Sequence, residues 1–215
     1  MSIIVFDWDG TLLDSRLRHS KVLEDVLKLH GIAVGMETFG DFVAFKAEGR
    51  TTVDYLEDRL PHLVDAPTIA RDWVARIELP QYLRLDELYE DTSYALGKLS
   101  RAYRLILASA RQDREAFLEQ VARLGVADFF DRVFCVTPGH DAGLSKARAL
   151  EARGICDVFS VIGDTEADET CANEIGARFF ATSRGFRSAA WWTQRGIVSF
   201  SSLSELCEAI PDACR

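Results

Sequence analysis

Two aspartates stand two residues apart in the segment Asp7-Trp8-Asp9-Gly10-Thr11, close to the start of the chain. An extended backbone points residues i and i+2 to the same side, so both carboxylates would face one pocket. Asp7 suits a nucleophile that attacks phosphorus and forms an aspartyl phosphate, which divides a slow hydrolysis into two easier transfers. Asp9 suits the group that protonates the departing alcohol and later deprotonates the attacking water.

A second acidic segment, Gly163-Asp164-Thr165-Glu166-Ala167-Asp168, follows a later apolar run. If it joins the first, four carboxylates share one pocket, where like charges about 4 Å apart repel by ~4 kcal/mol at an effective dielectric near 20. A hard divalent cation with oxygen ligands removes this repulsion. We therefore predict a Mg²⁺ site made by Asp7, Asp164 and the backbone carbonyl of Asp9, with Asp168 as a ligand or as support for one.

Ser109 and Lys146 could balance the charge of a phosphoryl group. Ser109 ends another predicted strand and offers its hydroxyl, with a neighbouring backbone N–H, to a phosphoryl oxygen. Lys146 supplies a fixed positive charge that offsets the nucleophile and the transferring group. Arg111, beside Ser109, is predicted to lie on the surface, with contact to the substrate as the alternative.

Short apolar runs precede most of these polar groups and must position them. The runs cover residues 3–6, 104–108, 133–136, 158–162 and, more weakly, 177–181. Their β-branched and aromatic residues are typical of buried strands, and apolar residues at helical spacing separate the later runs. This alternation predicts an α/β fold with a parallel sheet, whose strand ends carry Asp7, Ser109 and Gly163.

The first two runs are separated by roughly ninety residues that contain only helical patterns, far more than one crossover helix needs. Helices are predicted to begin at Asp14 or Ser15, at Thr51 or Thr52, and at Ala66. We predict that residues 15–87 form a helical cap over the carboxyl ends of the strands, where open α/β sheets bind ligands. Residues 1–14 and 88–215 then form the core.

The charge balance limits the partners. The chain has 215 residues, with 25 Lys and Arg against 34 Asp and Glu, and its formal charge is −9. This acidic balance argues against broad electrostatic binding to nucleic acid or to an anionic membrane. An anionic ligand would need positive charge placed locally.

The cysteines and the apolar runs indicate a compartment. Five cysteines are present, an odd number without a C-x-x-C pair, and we interpret them as reduced thiols. The apolar run before Asp7 is too short for a signal sequence, and no run is long enough to span a membrane. A cytoplasmic location is expected.

Four parts of the chain resemble the four motifs of the haloacid dehalogenase-like hydrolase superfamily, in that family's order and rough spacing. They are Asp7-Trp8-Asp9-Gly10-Thr11-Leu12, then Ser109, Lys146, and Gly163-Asp164 with Asp168. The resemblance spans nearly the whole chain. It is similar to the subgroup with a helical cap between the first and second motifs, to which phosphoglycolate phosphatase and β-phosphoglucomutase belong.

The resemblance implies a Rossmann-like core, a Mg²⁺-dependent aspartyl-phosphate mechanism and a mobile cap that closes over substrate. It implies phosphate contacts from Gly10, Thr11, Ser109, Ala110 and Lys146. True dehalogenases of the family lack the second aspartate of the first motif. The second aspartate present here therefore argues against carbon–halogen chemistry.

Two cap residues are candidates for contact with substrate. The segment Glu48-Gly49-Arg50-Thr51-Thr52 resembles the glycine-containing loop that dips into the active site of related capped enzymes, and it makes Arg50 the candidate for specificity. His19, near the first hinge, could face the entrance.

The sequence thus predicts a phosphatase that hydrolyses a small soluble phosphate monoester, as a monomer or homodimer. A phosphomutase, which passes the phosphoryl group to a second sugar phosphate, is the nearest alternative. The resemblance also leaves open a phosphonate hydrolase, since phosphonate cleavage in this family uses a cap lysine, for which Lys21, Lys28 and Lys46 are available. A catalytically silent phospholigand-binding protein is a further alternative. A signalling receiver domain is disfavoured because the lysine precedes the second acidic motif and the helical insert is large.

Overall fold

The computed structural model describes residues 1–33, 35, 37–61, 65–139 and 141–210, with residues 37–39 described by their backbone alone. Its strands are β1 (Ile3–Phe6), β2 (Leu13–Asp14), β3 (Glu87–Leu88), β4 (Arg104–Ala110), β5 (Arg132–Val136), β6 (Val158–Gly163), β7 (Arg178–Thr182) and β8 (Ser199–Phe200). Six of them form a parallel sheet in the order β5-β4-β1-β6-β7-β8. The α/β class and the parallel sheet are confirmed.

Helices fill the intervals between the strands. They are α1 (Arg16–Leu29), α2 (Glu37–Ala47), α3 (Thr52–Arg59), α4 (Ala66–Arg76), α5 (Pro80–Leu83), α6 (Thr92–Leu99), α7 (Arg114–Arg123), α8 (Ala142–Ala152), α9 (Glu166–Glu174), α10 (Ala189–Gln194) and α11 (Leu203–Ala209). Thr51 caps α3 through a reciprocal capping box with Asp54, and Asp65 caps α4. The sequence-based helix starts therefore agree with the structure.

The register of the sheet brings the functional loops to one edge. Phe6, the last residue of β1, lies beside Leu107 on one side and Ile162 on the other. Because the strands are parallel, Asp7, Ser109 and Gly163 all emerge at the carboxyl edge. Two apolar clusters cover the faces of the sheet, one containing Ile4 and Phe6 and the other Ile3 and Val5, which explains why β1 is apolar on both sides.

The helical insert has its own apolar core. Helices α1 to α5 pack around a separate cluster that includes Leu23, Phe42, Tyr55 and Trp73. At its base, β2 and β3 pair antiparallel through Leu13–Leu88 and Asp14–Glu87. The predicted helical cap is confirmed as an architecture, whereas its limits at residues 15 and 87 stay a prediction.

Cys135, Cys156, Cys171 and Cys207 are free thiols, and Cys214 lies outside the described residues. Among the helices that the structure describes, none is both long and apolar enough to cross a bilayer.

Candidate active site

A tight turn presents Asp7 at the end of β1. The backbone N–H of Asp7 still donates to the Ile162 carbonyl at 2.9 Å, so strand pairing fixes this residue before the chain departs. Gly10 then adopts φ +75°, and its N–H donates to the Leu13 carbonyl at 2.9 Å. A left-handed conformation of this kind favours glycine. The acidic Gly-containing motif is thus a rigid loop on a buried strand.

Lys146 lies between two buried carboxylates. Its Nζ donates to Asp7 Oδ1 at 2.5 Å and to Asp168 Oδ1 at 2.7 Å. The side chain can reach them because α8 lies close to α9: a Cβ on Gly143 would meet the Ala167 carbonyl at 2.4 Å. Burial would lower the pKa of Lys146, but Asp168 and Asp7 outweigh it and raise the pKa above its ordinary value. Lys146 is therefore a permanent cation in contact with the first aspartate.

Asp164 is buried among neutral donors. Oδ2 accepts the Phe186 N–H at 2.5 Å, and the Thr11 hydroxyl lies 3.4 Å from Oδ1. Backbone surrounds the carboxylate so closely that a Cβ on Gly10 or on Gly185 would lie 2.2 or 2.1 Å from Oδ2. Within the described ranges Asp164 forms no ion pair. Burial, with the charges of Asp7 and Asp168, raises its pKa well above its usual range.

The carboxylates of Asp7, Asp164 and Asp168 can hold a divalent cation. All three are buried, and one oxygen of each lies within 4.8 Å of the others. Burial is the main cause that raises the pKa of Asp7 to about 7, with Lys146 opposing it and Asp168 adding to it. One lysine does not balance three buried carboxylates, so a hard cation fits both the donor set and the uncompensated charge.

Asp9 lines the same cleft as Asp7 and Asp164, but it is held by two arginines. Arg111 donates to it through Nε at 2.7 Å and Nη2 at 3.0 Å, and Arg18 Nη2 contacts Oδ1 from the cap. Burial alone would raise the pKa of Asp9, but Arg111 and Arg18 hold it well below its usual range. The prediction that Arg111 lies on the surface is wrong, because its side chain is 3% exposed. Pairing with Asp9 compensates for burial of its charge.

A buried polar network supports the two arginines. Arg18 Nε lies 3.2 Å from Asp86 Oδ1, and Gln120 Nε2 donates to Asp86 Oδ2 at 2.7 Å. Gln120 Oε1 accepts from Trp8 Nε1 at 2.9 Å and from Arg111 Nη2 at 3.2 Å. Sequence reasoning missed Arg18, Asp86 and Gln120, because a single arginine or glutamine on a helix has the pattern of a solvated residue.

A cleft of about 330 Å³ lies between the core and the cap. Its core side includes Asp7, Ser109, Ala110, Lys146 and Asp164, and its cap side includes Arg18, His19, Trp73 and Ile77. The structure thus brings most of the predicted catalytic and phosphate-contacting residues to one cavity. Gly10 and Thr11 lie just behind it, against Asp164.

The two cap candidates are placed differently. His19 lines the cleft between Trp73 and Phe186, with ring centroids 5.2 and 4.4 Å away. Burial and Arg18 lower its pKa well below the ordinary value, so the imidazole is neutral at pH 7. Arg50 is exposed and packs over the Phe45 ring, 4.0 Å from its centroid, outside the residues that line the cleft.

The three candidate cap lysines do not line the cleft. Lys21 pairs with Glu24 at 3.0 Å, and it also pairs with Asp25 at 2.7 Å. Lys28 is an exposed partner of Glu24. Lys46 is half-buried on α2, with its Nζ 5.9 Å from the centroid of the Trp73 ring.

A loop after β7, which sequence reasoning did not assign, joins the cap to the core. Arg187 donates to the Glu166 carboxylate at 2.6 and 2.7 Å and to the Lys46 carbonyl at 2.7 Å. The Ser188 N–H donates to the Ala47 carbonyl at 3.2 Å. The same loop supplies the Phe186 N–H to Asp164. The signal in the sequence was Gly185 directly beyond the weakest predicted strand.

Comparisons with known proteins show what the chain is similar to. A family model described as haloacid dehalogenase-like hydrolase matches residues 4–182. A phosphoglycolate phosphatase of Rhodobacter capsulatus is 29% identical over 192 residues, covering 86% of this chain and 85% of that protein.

Two solved structures have a similar fold. A haloacid dehalogenase-like family hydrolase from Streptococcus pneumoniae has a TM-score of 0.73 at 21% identity, covering 97% of this chain and 98% of that one. A predicted phosphatase from Clostridium acetobutylicum has a TM-score of 0.75 at 20% identity, covering 97% of each chain.

Proposed function

This chain belongs to the haloacid dehalogenase-like hydrolase family, and on that basis we propose that it is a Mg²⁺-dependent phosphatase. Its substrate is a small phosphate monoester, hydrolysed through an aspartyl phosphate on Asp7. The observation that carries the proposal is the contact of Lys146 with one oxygen of a buried aspartate, in a cleft that also contains Ser109 and Asp164.

In the first step Asp7 attacks phosphorus. Lys146 binds Oδ1, so the other carboxylate oxygen is the one available to the substrate. The bond between phosphorus and the ester oxygen breaks, and the departing alkoxide takes a proton from Asp9. Asp9 must hold this proton before the step, although Arg111 and Arg18 favour its ionised form. Ser109 and the N–H of Ala110 face the phosphoryl oxygens, while Lys146 offsets their charge.

In the second step water attacks the phosphorylated Asp7 and releases inorganic phosphate. Asp9 accepts the proton from this water, and its contacts with Arg111 and Arg18 favour the ionised form that can do so.

Asp7 and Asp164, with the backbone carbonyl of Asp9, would hold Mg²⁺. Asp168 orients Lys146 and in turn accepts from the N–H and hydroxyl of Thr165 at 3.2 and 2.9 Å. When bound, the cation offsets the negative charge of the phosphoryl oxygens.

The relative from Rhodobacter capsulatus makes phosphoglycolate the first substrate to test. The cytoplasmic location and the monomer or homodimer remain predictions, as does the absence of nucleic-acid and membrane partners. The Arg50 assignment also remains a prediction, although its side chain packs on Phe45 in this arrangement.

The position of Glu78 favours water over a second sugar phosphate as acceptor. A mutase must also hold the acceptor's own phosphate, and the backbone N–H groups of Gln112 and Asp113, just before α7, are donors of the right kind. Glu78, which lines the cleft, already accepts the N–H groups of Gln112 and Asp113 at 3.0 and 2.7 Å. A second phosphate would have to displace this carboxylate.

The test is phosphate release from an aryl phosphate by the parent protein and by Asp7→Asn. We expect a loss of at least roughly 10³-fold in kcat, because the amide cannot act as the nucleophile. Chelation of divalent ions should abolish turnover by the parent protein. Asp131→Asn, at an exposed pair with Arg104, is the control and should retain activity. Turnover that survives both Asp7→Asn and chelation overturns the proposal.

A further inference from the structure

Arg111 has a donor that the site does not use. Nε and Nη2 bind Asp9, and Nη2 also contacts Gln120, but Nη1 is buried and has no acceptor within the part of the chain that the structure describes. The residue lines the cleft. A buried charged donor without a partner is costly, which points to an acceptor that arrives with the ligand.

The position of Arg111 relative to the phosphoryl site limits the size of that ligand. Ser109 and Arg111 are two residues apart at the end of β4, and the Arg111 N–H still donates to the Val136 carbonyl at 2.9 Å. Two residues of strand span roughly 6.6 Å, and side chains at this spacing point to one side. Nε and Nη2 of the same guanidinium bind Asp9, the residue proposed to protonate the leaving oxygen, so a group that contacts Nη1 lies close to that oxygen and belongs to a short leaving group.

The chemistry of the cleft indicates what that group is. Nη1 donates and carries positive charge, and Nδ1 of His19, which lines the same cleft, is also buried without a partner. A carboxylate matches both, because it accepts two or more hydrogen bonds and pairs with a guanidinium. Trp73, Val74 and Ile77 supply apolar contacts on the remaining cap side, and Glu78 is the charged residue there, so a second anionic group on a longer chain would meet a carboxylate.

We infer that Arg111 determines specificity by binding, through Nη1, a carboxylate on the leaving group of a short phosphate monoester. This inference rests on the proposed function and names the substrate class for the same cleft: phosphorylated two- or three-carbon hydroxy acids. Glu78 is a nearby negative charge, but its carboxylate is already engaged by two backbone N–H groups.

Arg18 provides a matched comparison. It is also buried and also contacts Asp9, but its other nitrogens face Asp86 and the Ile77 carbonyl at 3.2 and 3.5 Å. Removal of either arginine disturbs Asp9 and should therefore lower kcat/KM for every substrate. Nε of Arg18 also makes no hydrogen bond, but it is paired with the Asp86 carboxylate at 3.2 Å, whereas no acceptor faces Nη1 of Arg111 in the described part of the chain. Removal of Arg111 alone should therefore change the preference between substrates.

The experiment compares phosphoglycolate with phosphoglycolamide, in which a neutral amide replaces the carboxylate. kcat/KM is measured for both in the parent protein and in Arg111→Gln, Arg111→Lys and Arg18→Gln. The parent should prefer the carboxylate by roughly 10- to 100-fold, the range of a hydrogen bond between charged groups. Arg111→Gln should reduce this ratio to near one, Arg111→Lys should retain part of it, and Arg18→Gln should retain it while lowering both rates.

The outcomes separate the two proposals. If the parent hydrolyses neither ester nor an aryl phosphate, the proposed function fails. If it hydrolyses them without preferring the carboxylate, or if Arg111→Gln lowers both rates with an unchanged ratio, the assignment of Arg111 is wrong and the phosphatase stands. If Arg111→Gln does not fold, the Arg111→Lys ratio decides: an undiminished preference contradicts the inference.

Discussion

At the scale of single residues, the positive charges near the cleft differ in how fully they are compensated. Lys146 and Arg18 are each held by two carboxylates. Lys46, by contrast, is half-buried over Trp73 and forms no ion pair within the described ranges. Burial, with the nearby charge of Arg187, lowers the pKa of Lys46 from 10.5 to about 8. This fold therefore disfavours the charged form of Lys46.

We predict that Lys46 makes stability depend on pH in the alkaline range. Between pH 8 and 10.5 the unfolded chain binds the proton that the folded chain has lost, so the free energy of unfolding rises with pH. Allowing for partial exposure, the rise due to Lys46 is on the order of 1 kcal/mol. Lys46→Met should be more stable than the parent at pH 7, and this advantage should disappear by pH 10.5.

The matched control is Lys46→Arg, which stays charged throughout this range. It should not gain the stability that the parent gains as the pH rises. Urea unfolding of the three proteins at each pH supplies the measurement. A constant difference between parent and Lys46→Met from pH 7 to 10.5 would contradict the stated cause.

At the scale of elements, the loop after β7 is the piece that joins the two subdomains. Arg187 is 8% exposed and reaches both Glu166 on the core and the Lys46 carbonyl on the cap. Glu48 pairs with Arg187 as an isolated antiparallel bridge. These contacts hold the last turn of α2 and Glu48, which follows it. The cap loop that contains Arg50 is therefore anchored to the core at its first residue.

We predict that Arg187→Gln loosens this loop. Hydrogen exchange at the Ser188 N–H, which donates to the Ala47 carbonyl, should accelerate by roughly tenfold or more, because local opening loses a charged anchor. Arg104→Gln is the control. Arg104 pairs with Asp131 at an exposed position of the core, and this contact does not involve the cap. Equal exchange rates in both variants would exclude the anchoring role of Arg187.

The elements differ in how well they could be predicted from the sequence. Five strands of the main sheet have apolar runs, and all five were predicted. β2, β3 and β8 have two residues each, too few to show any period. Asp7 and Asp164 could be predicted because parallel topology forces strand ends together. The buried arginines could not, because Arg111 pairs with Asp9 and Arg18 also pairs with Asp86, and both of these acids lie far from the arginine in sequence.

At the scale of the whole molecule, repulsion among the buried carboxylates of Asp7, Asp164 and Asp168 lowers the stability of the protein when no cation is bound. We predict that Mg²⁺ raises the Tm of the parent protein. Binding at 100 times Kd stabilises the folded state by about 2.7 kcal/mol, which corresponds to roughly 5 to 10 °C for a domain of this size. Asp164→Asn should be more stable than the parent without Mg²⁺, because it removes a buried charge that repels Asp7 and Asp168.

The same variant should lose most of the Mg²⁺-dependent shift in Tm. Asp131→Asn, at an exposed ion pair distant in sequence from the acidic motifs, should show the full shift. Thermal unfolding of the three proteins, with EDTA and with excess Mg²⁺, provides the comparison. A full shift in Asp164→Asn would place the cation elsewhere.

The central place of β1 in the sheet has a consequence for the order in which a ribosome makes the protein. Its neighbours β4 and β6 are Arg104–Ala110 and Val158–Gly163, so both edges of the first strand stay open while most of the chain is still being translated. At ~5–20 residues per second, roughly 10 to 30 seconds separate the synthesis of Asp7 from that of Gly163. Asp7 is thus synthesised well before the strands that flank β1, and a chaperone that shields an unpaired apolar strand has that interval in which to act.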